Sequence, residues 1–222
     1  MPNAASIAID GPVASGKTAV GQRLASRLGW RFIDTGSMYR AVTLAALERG
    51  VPTDDGDALT DLAGCLEMKL VTDASGGRLL VGGKDVTDDL KGAAVERGVS
   101  QVSSVSGVRE ALVRQQRSVA DGGSIVMVGR DIGTVVLPTA DLKVYLTASA
   151  EVRARRRHLE VSRGDSPPGY RQVLDDLRRR DALDSGRADS PLRRAEDAVE
   201  IDTAGLDIDG VAEAILSLLE SS

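Results

Sequence analysis

Apolar residues recur along this chain in two rhythms. Short apolar runs at Ser6–Ile9, Arg31–Ile33, Ser124–Val128, Leu142–Leu146 and Ala198–Ile201 have the length and content of strands. Between them the spacing turns helical. Val20, Leu24 and Leu28 fall one turn apart with Ala25 beside them, Val108, Ala111, Leu112 and Val119 make a second face, Val173, Leu174 and Leu177 a third, and Val211, Ile215 and Leu218 a last one. Strands alternating with amphipathic helices predict a parallel sheet covered by helices, an α/β fold, and the short apolar runs fit strands buried on both sides. One stretch breaks the alternation. Met68–Thr72, a turn through Asp73-Ala74-Ser75-Gly76-Gly77, and Arg78–Val81 read as an antiparallel hairpin, and a second turn at Gly82-Gly83 leads to Asp85-Val86-Thr87. A hairpin inside a parallel pattern predicts an inserted subdomain over about residues 60–100.

Composition narrows the class. The 222 residues, 42% apolar, suffice for one α/β domain, residues 1–222, with a real core, and no apolar stretch reaches the length of a membrane span. No basic segment followed by an apolar block opens the chain, so no secretory signal is expected and the cytoplasm follows. Cys65 is the only cysteine, which excludes an internal disulfide and a cysteine-based metal cluster; its place between Leu62 and Leu66 predicts buried packing. His158, the only histidine, sits among arginines and is assigned a solvated or phosphate-facing place rather than a metal site. A net charge of −5 argues against broad nucleic-acid binding but not against small anionic substrates. Arginines are clustered at Arg153, Arg155, Arg156 and Arg157, at Arg178, Arg179 and Arg180, and at Arg187, Arg193 and Arg194. For any single one a solvated helix face is the default, yet the planar fork of donors suits phosphate.

Gly11-Pro12-Val13-Ala14-Ser15-Gly16-Lys17-Thr18 fits the phosphate-loop pattern G-x-x-x-x-G-K-[ST], with a strand before it and helical spacing after it. Glycines let backbone N–H groups wrap phosphates, and the helix N-terminus adds positive potential. Lys17 is expected to reach the β- and γ-phosphates and the Thr18 hydroxyl to sit on Mg²⁺. This chain is read as binding a nucleoside triphosphate. The loop Ser162–Gly169, rich in Gly and Pro between two arginine-rich helices, then reads as a lid over phosphates, spanning about residues 154–170.

Three further segments carry chemistry. Asp34-Thr35-Gly36-Ser37-Met38-Tyr39-Arg40 follows the second strand; Asp34 can hold Mg²⁺ waters and Arg40 can reach a second phosphate, while a plain strand-to-helix turn with an N-cap explains the segment equally well. Gly129-Arg130-Asp131-Ile132-Gly133-Thr134 follows the third strand, and residues at the carboxyl ends of parallel strands line the crevice of an open α/β sheet. Arg180-Asp181-Ala182-Leu183-Asp184-Ser185-Gly186-Arg187, with Ser190-Pro191-Leu192 behind it, reads by itself as a polar loop after a charged helix.

Together these motifs, with D-V-T at Asp85–Thr87 and V-R-x-x-L-x-x-x-Q-R from Val108, resemble the bacterial-type cytidylate kinases among the P-loop nucleoside monophosphate kinases, over Ser6 to about Ile201. The resemblance implies a P-loop kinase fold: a five-stranded parallel sheet flanked by helices, a lid, and a monophosphate-binding subdomain enlarged by the insertion and containing a small antiparallel sheet. By the same resemblance Ser100, Arg109 and Asp131 read cytosine, Asp184 and Arg180 hold the sugar, and Thr35 lies by the α-phosphate. Arg40, Arg130 and Arg187 clamp phosphates, and Arg153 and Arg157 close over the triphosphate. It implies transfer of the γ-phosphate of ATP, with Mg²⁺, to CMP or dCMP, with no nucleic-acid or membrane partner and a monomer as the simplest state. Rivals are a kinase of the same architecture acting on UMP or on a small hydroxy acid, and a GTP-dependent switch; no N-K-x-D segment for guanine is present. A preference between CMP and dCMP is not readable.

Overall fold

The computed structural model describes residues 5–73, 76–162 and 167–220. In chain order its elements are β1 (Ser6–Asp10), α1 (Lys17–Leu28), β2 (Arg31–Asp34), α2 (Thr35–Glu48), α3 (Gly56–Cys65), β3 (Met68–Asp73), β4 (Gly76–Val81) and β5 (Lys84–Asp85). There follow α4 (Ala93–Val102), α5 (Ser106–Ala120), β6 (Ile125–Gly129), β7 (Leu142–Thr147), α6 (Ala150–Val161), α7 (Tyr170–Ser185), β8 (Val199–Asp202) and α8 (Ile208–Glu220). The main sheet is parallel throughout, ordered β2-β6-β1-β7-β8. All five expected strands are present, and each runs one residue further toward its carboxyl end than its apolar pattern, through Asp10, Asp34, Gly129, Thr147 and Asp202. Polar and glycine residues can complete a backbone ladder without adding to an apolar run, so the pattern stops one residue before the pairing does.

Alternation along the strands divides the core into two layers. Ile7 and Ile9 pack with Val126 and Val128 against α1 and α8, through Val20, Leu24, Val211 and Ile215. Ala8, Ile33, Ile125 and Met127 face the other way, toward α2, α3 and α5. Edge strand β8 departs from the expectation of strands buried on both sides. Val199 is 39% exposed and Glu200 and Asp202 face solvent, because no strand covers its outer edge.

The inserted hairpin forms where its pattern predicts, with Met68 paired to Val81, although turn residues Ala74 and Ser75 lie outside the described residues. A two-residue strand, β5, adds to its far edge, too short to leave a period in the sequence. This small sheet has no core of its own: Leu79, Val86 and Leu90 are buried in the same cluster as Leu59, Leu62 and Ala63 of α3. Cys65 corrects the sequence reading. It is exposed at the end of α3, because the buried stripe runs through Leu59, Leu62, Ala63 and Leu66, and Cys65 falls off that face. Of the Gly- and Pro-rich loop after α6, Arg163–Ser166 also lie outside the described residues.

The helix that follows the phosphate loop is pressed unusually close to the sheet. A Cβ at Gly21 would stand 2.6 Å from the Val128 side chain and 2.7 Å from the Phe32 ring. Gly21→Ala is therefore expected to lower stability by about 1–3 kcal/mol, overpacking outweighing the gain in helix propensity. Urea denaturation checks it, and an unchanged midpoint would show that α1 retreats freely.

Candidate active site

The loop between β1 and α1 is shaped by backbone constraints. A Cβ on Gly11 would meet the Leu146 carbonyl oxygen at 2.1 Å, so only glycine lets the chain leave the central strand beside β7. Gly16 caps α1 in the left-handed region (φ 92°) and offers no side-chain acceptor, leaving the first N–H groups of the helix for an anion. Ala14, with φ 60°, shares that conformation without glycine's freedom, a strain of the kind found in ligand-gripping loops. Lys17 is buried and donates through Nζ to the Pro12 carbonyl at 2.6 Å and to Ser15 Oγ at 3.3 Å. Burial lowers its pKa well below the ordinary lysine value, and the neighbouring Arg130 lowers it further against the pull of Asp34, Asp10 and Asp184. A polyanion in the loop supplies the partner this ammonium lacks.

Asp34 takes the N-cap role open to it in the sequence and also meets the phosphate loop. Its Oδ1 accepts the Gly36 N–H at 3.0 Å as the N-cap of α2, while Oδ2 accepts the Thr18 hydroxyl at 2.6 Å. A hydroxyl and a carboxylate meeting at the mouth of the phosphate loop are hard oxygen donors. They fit a magnesium ion that takes its remaining ligands from nucleotide phosphates and water. Among the described residues no group of three or more His, Cys, Asp or Glu is placed to hold a metal.

Two cavities open along the carboxyl edge of the sheet. The larger is lined by Val13 to Val20, by Arg156, Arg157 and Glu160 of α6, and by Thr203, Leu206, Asp207 and Ile208 before and at the start of α8. The smaller is lined by Thr35, Tyr39, Ser100, Ser103, Arg109, Asp131, Asp184 and Arg187. Asp34, Gly36, Arg40, Arg130 and Arg180 line both, and so mark the seam between them. An elongated site with a cationic middle is what two phosphorylated molecules placed end to end require.

The floor of the smaller cavity is a buried ion pair, Arg109 Nη2 to Asp131 Oδ2 at 2.6 Å, with each residue less than one-twentieth exposed. Arg109 also donates to the Ser103 carbonyl at 3.2 Å, and its guanidinium carbon lies 5.3 Å from the Tyr39 ring centre. Asp184 accepts from Arg130 Nε at 2.8 Å on one oxygen and from Arg187 Nη2 on the other. Burial alone would raise the Asp184 pKa, but these two guanidiniums bring it below the usual carboxylate range. Arg187 reaches Ser103 Oγ at 3.0 Å as well. Thr35 is buried, its hydroxyl donating to the Val128 carbonyl at 3.0 Å.

The predicted residues thus gather along the two cavities, Arg180 at the seam with Glu96 as its ion-pair partner. Among the arginines one is placed differently. Arg153 lies outside both linings, donating to the Ala148 and Val13 carbonyls at 3.0 and 3.1 Å and to Asp181 at 2.7 Å. Its neighbour Arg156 faces the larger cavity instead, held by Thr203 Oγ1 at 2.9 Å and the Thr203 carbonyl at 2.5 Å. On a helical wheel the two arginines stand only about 60° apart, and nothing in the sequence tells which of them is turned toward the cavity. Gly11 and Pro12 shape the loop from outside the lining.

Sequence reasoning missed Asp10 and Glu96. Asp10, at the carboxyl end of β1, accepts the Ile132 and Gly133 N–H groups at 2.8 Å each and so anchors the π-helical turn that follows Asp131. Burial raises its pKa to about 6, against the two backbone hydrogen bonds. Its position at a strand end, in I-D-G-P, was the available signal. Glu96 of α4 meets Arg40 Nη1 at 2.5 Å and contacts Arg180 Nη1 and Arg157. Burial pulls its pKa up, but Arg180 and Arg40 bring it down from 4.5 to about 2. A carboxyl whose pKa is depressed on folding stabilises the fold above its unfolded pKa, and that contribution is lost as pH falls toward the folded one. In urea titrations, the stability advantage of the parent over Glu96→Gln is expected to be about 1–2 kcal/mol above pH 5 and to shrink between pH 4.5 and 2. A gap that does not change with pH would refute this linkage.

The family model described as cytidylate kinase matches residues 7–221. The chain is 50% identical to a cytidylate kinase of Rhodococcus opacus (strain B4), over 95% of this chain and 92% of that one. It is 48% identical to a cytidylate kinase of Geobacillus kaustophilus (strain HTA426), over 99% and 98%. Among solved structures, an uncharacterized protein from Eubacterium ventriosum ATCC 27560 superposes with a TM-score of 0.55 at 13% identity, over 99% of this chain and 100% of that one. At that identity the likeness concerns the fold alone.

Proposed function

This chain belongs to the cytidylate kinase family, and from that premise we propose that it transfers the γ-phosphoryl group of ATP to CMP or dCMP, releasing ADP and CDP or dCDP. The observation that carries the reading is the buried Arg109–Asp131 pair at the floor of the smaller cavity. Cytosine presents an exocyclic amino donor beside two acceptors, and a carboxylate next to a guanidinium offers the complementary acceptor and donors. Uracil turns an oxygen toward the carboxylate.

The nucleophile is an oxygen of the acceptor's phosphate, already ionised at neutral pH. It attacks the γ-phosphorus while the bond to the β,γ-bridging oxygen breaks and ADP leaves with that electron pair, and no general base is needed. Catalysis is then alignment and charge stabilisation. Main-chain amides of Gly11–Thr18 hold the donor, with Lys17 at its β- and γ-phosphates and Arg157 above it. Arg40, Arg130 and Arg187 hold the acceptor's phosphate at the seam, Thr35 lies beside it, and Ser100, Arg109 and Asp131 read the base. Arg180 and Asp184 face the sugar, Asp184 also keeping Arg130 and Arg187 in place. Thr18, with Asp34 through water, would hold Mg²⁺, which when bound neutralises charge across the β- and γ-oxygens. Arg153, tied to Val13 and Asp181, fastens the lid helices to the phosphate loop. The lid of about residues 154–170 would close over the triphosphate and keep water out, and the insertion of about residues 60–100 enlarges the monophosphate-binding side. One chain supplies every group. No described helix is long and apolar enough to cross a membrane.

Initial rates of ADP formation with CMP, dCMP, UMP and AMP at equal concentration test the reading. CMP and dCMP are expected to lead. Equal use of UMP overturns the base assignment, and ADP release independent of any monophosphate overturns the transferase assignment in favour of an ATPase or switch.

A further inference from the structure

Three arginines of the site converge on one carboxylate outside its motifs. Arg40 comes from α2, Arg157 from α6 and Arg180 from α7, and all three meet Glu96, which projects from α4 into the larger cavity. Glu96 Oε2 takes Arg40 Nη1 at 2.5 Å, while Oε1 takes Arg180 Nη1 and stands 3.5 Å from Arg157 Nη2. Three guanidiniums at this range repel one another unless an anion stands between them.

The pairing is economical in donors. Arg180 makes no other side-chain hydrogen bond among the described residues, and Arg40 adds only a long contact of the same Nη1 to the Leu90 carbonyl at 3.5 Å. Nε and Nη2 of both therefore remain for the acceptor at the seam, which both residues line. Burial is outweighed by the adjoining guanidiniums, which bring the Glu96 pKa down to about 2 and so keep it ionised near neutral pH. One helical turn further along α4, Ser100 lines the acceptor cavity, so one rigid element presents a base contact and the anchor of the arginines.

We propose that Glu96 is a positioning residue for phosphoryl transfer, holding one terminal nitrogen each of Arg40 and Arg180 and steadying Arg157 from the lid, so that the other donors of Arg40 are preset for the acceptor's phosphate and those of Arg180 for its sugar. This rests on the kinase reading above. An anion in this place is not a competitor for the site. It costs some positive potential and supplies orientation, and a planar fork is worth more when its direction is set.

Steady-state kinetics of the parent, Glu96→Gln and Glu96→Asp with ATP and CMP, each checked for a cooperative melt, test it. Glu96→Gln is expected to raise KM for CMP about ten-fold while KM for ATP, which rests on main-chain amides, moves less than about three-fold. Glu96→Asp, charged but shorter, is expected to fall between. A folded Glu96→Gln enzyme whose KM for CMP equals or lies below the parent's overturns the proposal, the lower value marking Glu96 as a competing anion. Should Glu96→Gln fail to fold, Glu96→Asp decides: a raised KM for CMP supports the role and the parent's value sinks it. A parent that makes no CDP sinks the kinase reading instead.

Discussion

Lys17→Ala is expected to lower turnover with ATP and CMP by about a thousand-fold or more and to leave a protein that melts no earlier than the parent. The first half follows from the site. Lys17 is the buried cation of the phosphate loop, and charge on the transferred group has no equivalent partner on that side. The second half follows from the cost of keeping it there. Its ammonium is desolvated, has Arg130 as a like-charged neighbour, and is held only by the Pro12 carbonyl and Ser15 Oγ. Removing a penalised charge relieves the fold even as it removes the chemistry, the usual opposition of stability and activity. Single-turnover assays and calorimetry on the same preparation check both halves. Vigorous CDP formation by Lys17→Ala would remove the phosphate loop from the mechanism.

Asp131→Asn should change which base is accepted more than how fast the chemistry runs. The amide can still offer an oxygen to Arg109, but it can also turn an N–H toward the acceptor oxygen of uracil. The ratio of kcat/KM for CMP to that for UMP is expected to fall by about ten- to a hundred-fold, as expected for one buried donor–acceptor match of roughly 1–3 kcal/mol. Stability should fall too, since Arg109 loses a full charge partner in a place where it is only 3% exposed. The ratio is the decisive quantity, because loss of folded enzyme lowers both rates together. An unchanged ratio in a folded variant would mean that the base is read elsewhere.

The contrast between the two sites shows what kind of information a chain carries. The phosphate loop was legible because eight consecutive residues form it and their backbone does the binding; Gly11 and Gly16 are needed for reasons local to the loop. The sheet was legible through its apolar runs, and the motifs at Asp34 and at Arg130-Asp131 through their place at strand ends. Illegible were the pairings that join distant segments. Arg180 and Asp184 share one motif, yet Arg180 turns to Glu96, 84 residues away, and Asp184 to Arg130, 54 residues away. Arg153 and Arg156 stand three apart in one arginine run, and only the packing of α6 turns the first toward α7 and Val13 and the second toward Thr203. Cys65 followed the apolar composition of its neighbours and missed the face they share.

The amino-acid order by itself therefore determined the parallel α/β sheet, the inserted hairpin, the phosphate-loop motif and most of the side chains that gather along the sheet edge, because each rests on local backbone preference or on a short motif. The tertiary structure alone decided which arginine faces which carboxylate, that Glu96 gathers three of them, and that Asp10 pins the turn beyond Asp131. Charge pairing is set by distance in space, and residues from four helices acquire their mutual distances only once the core has packed.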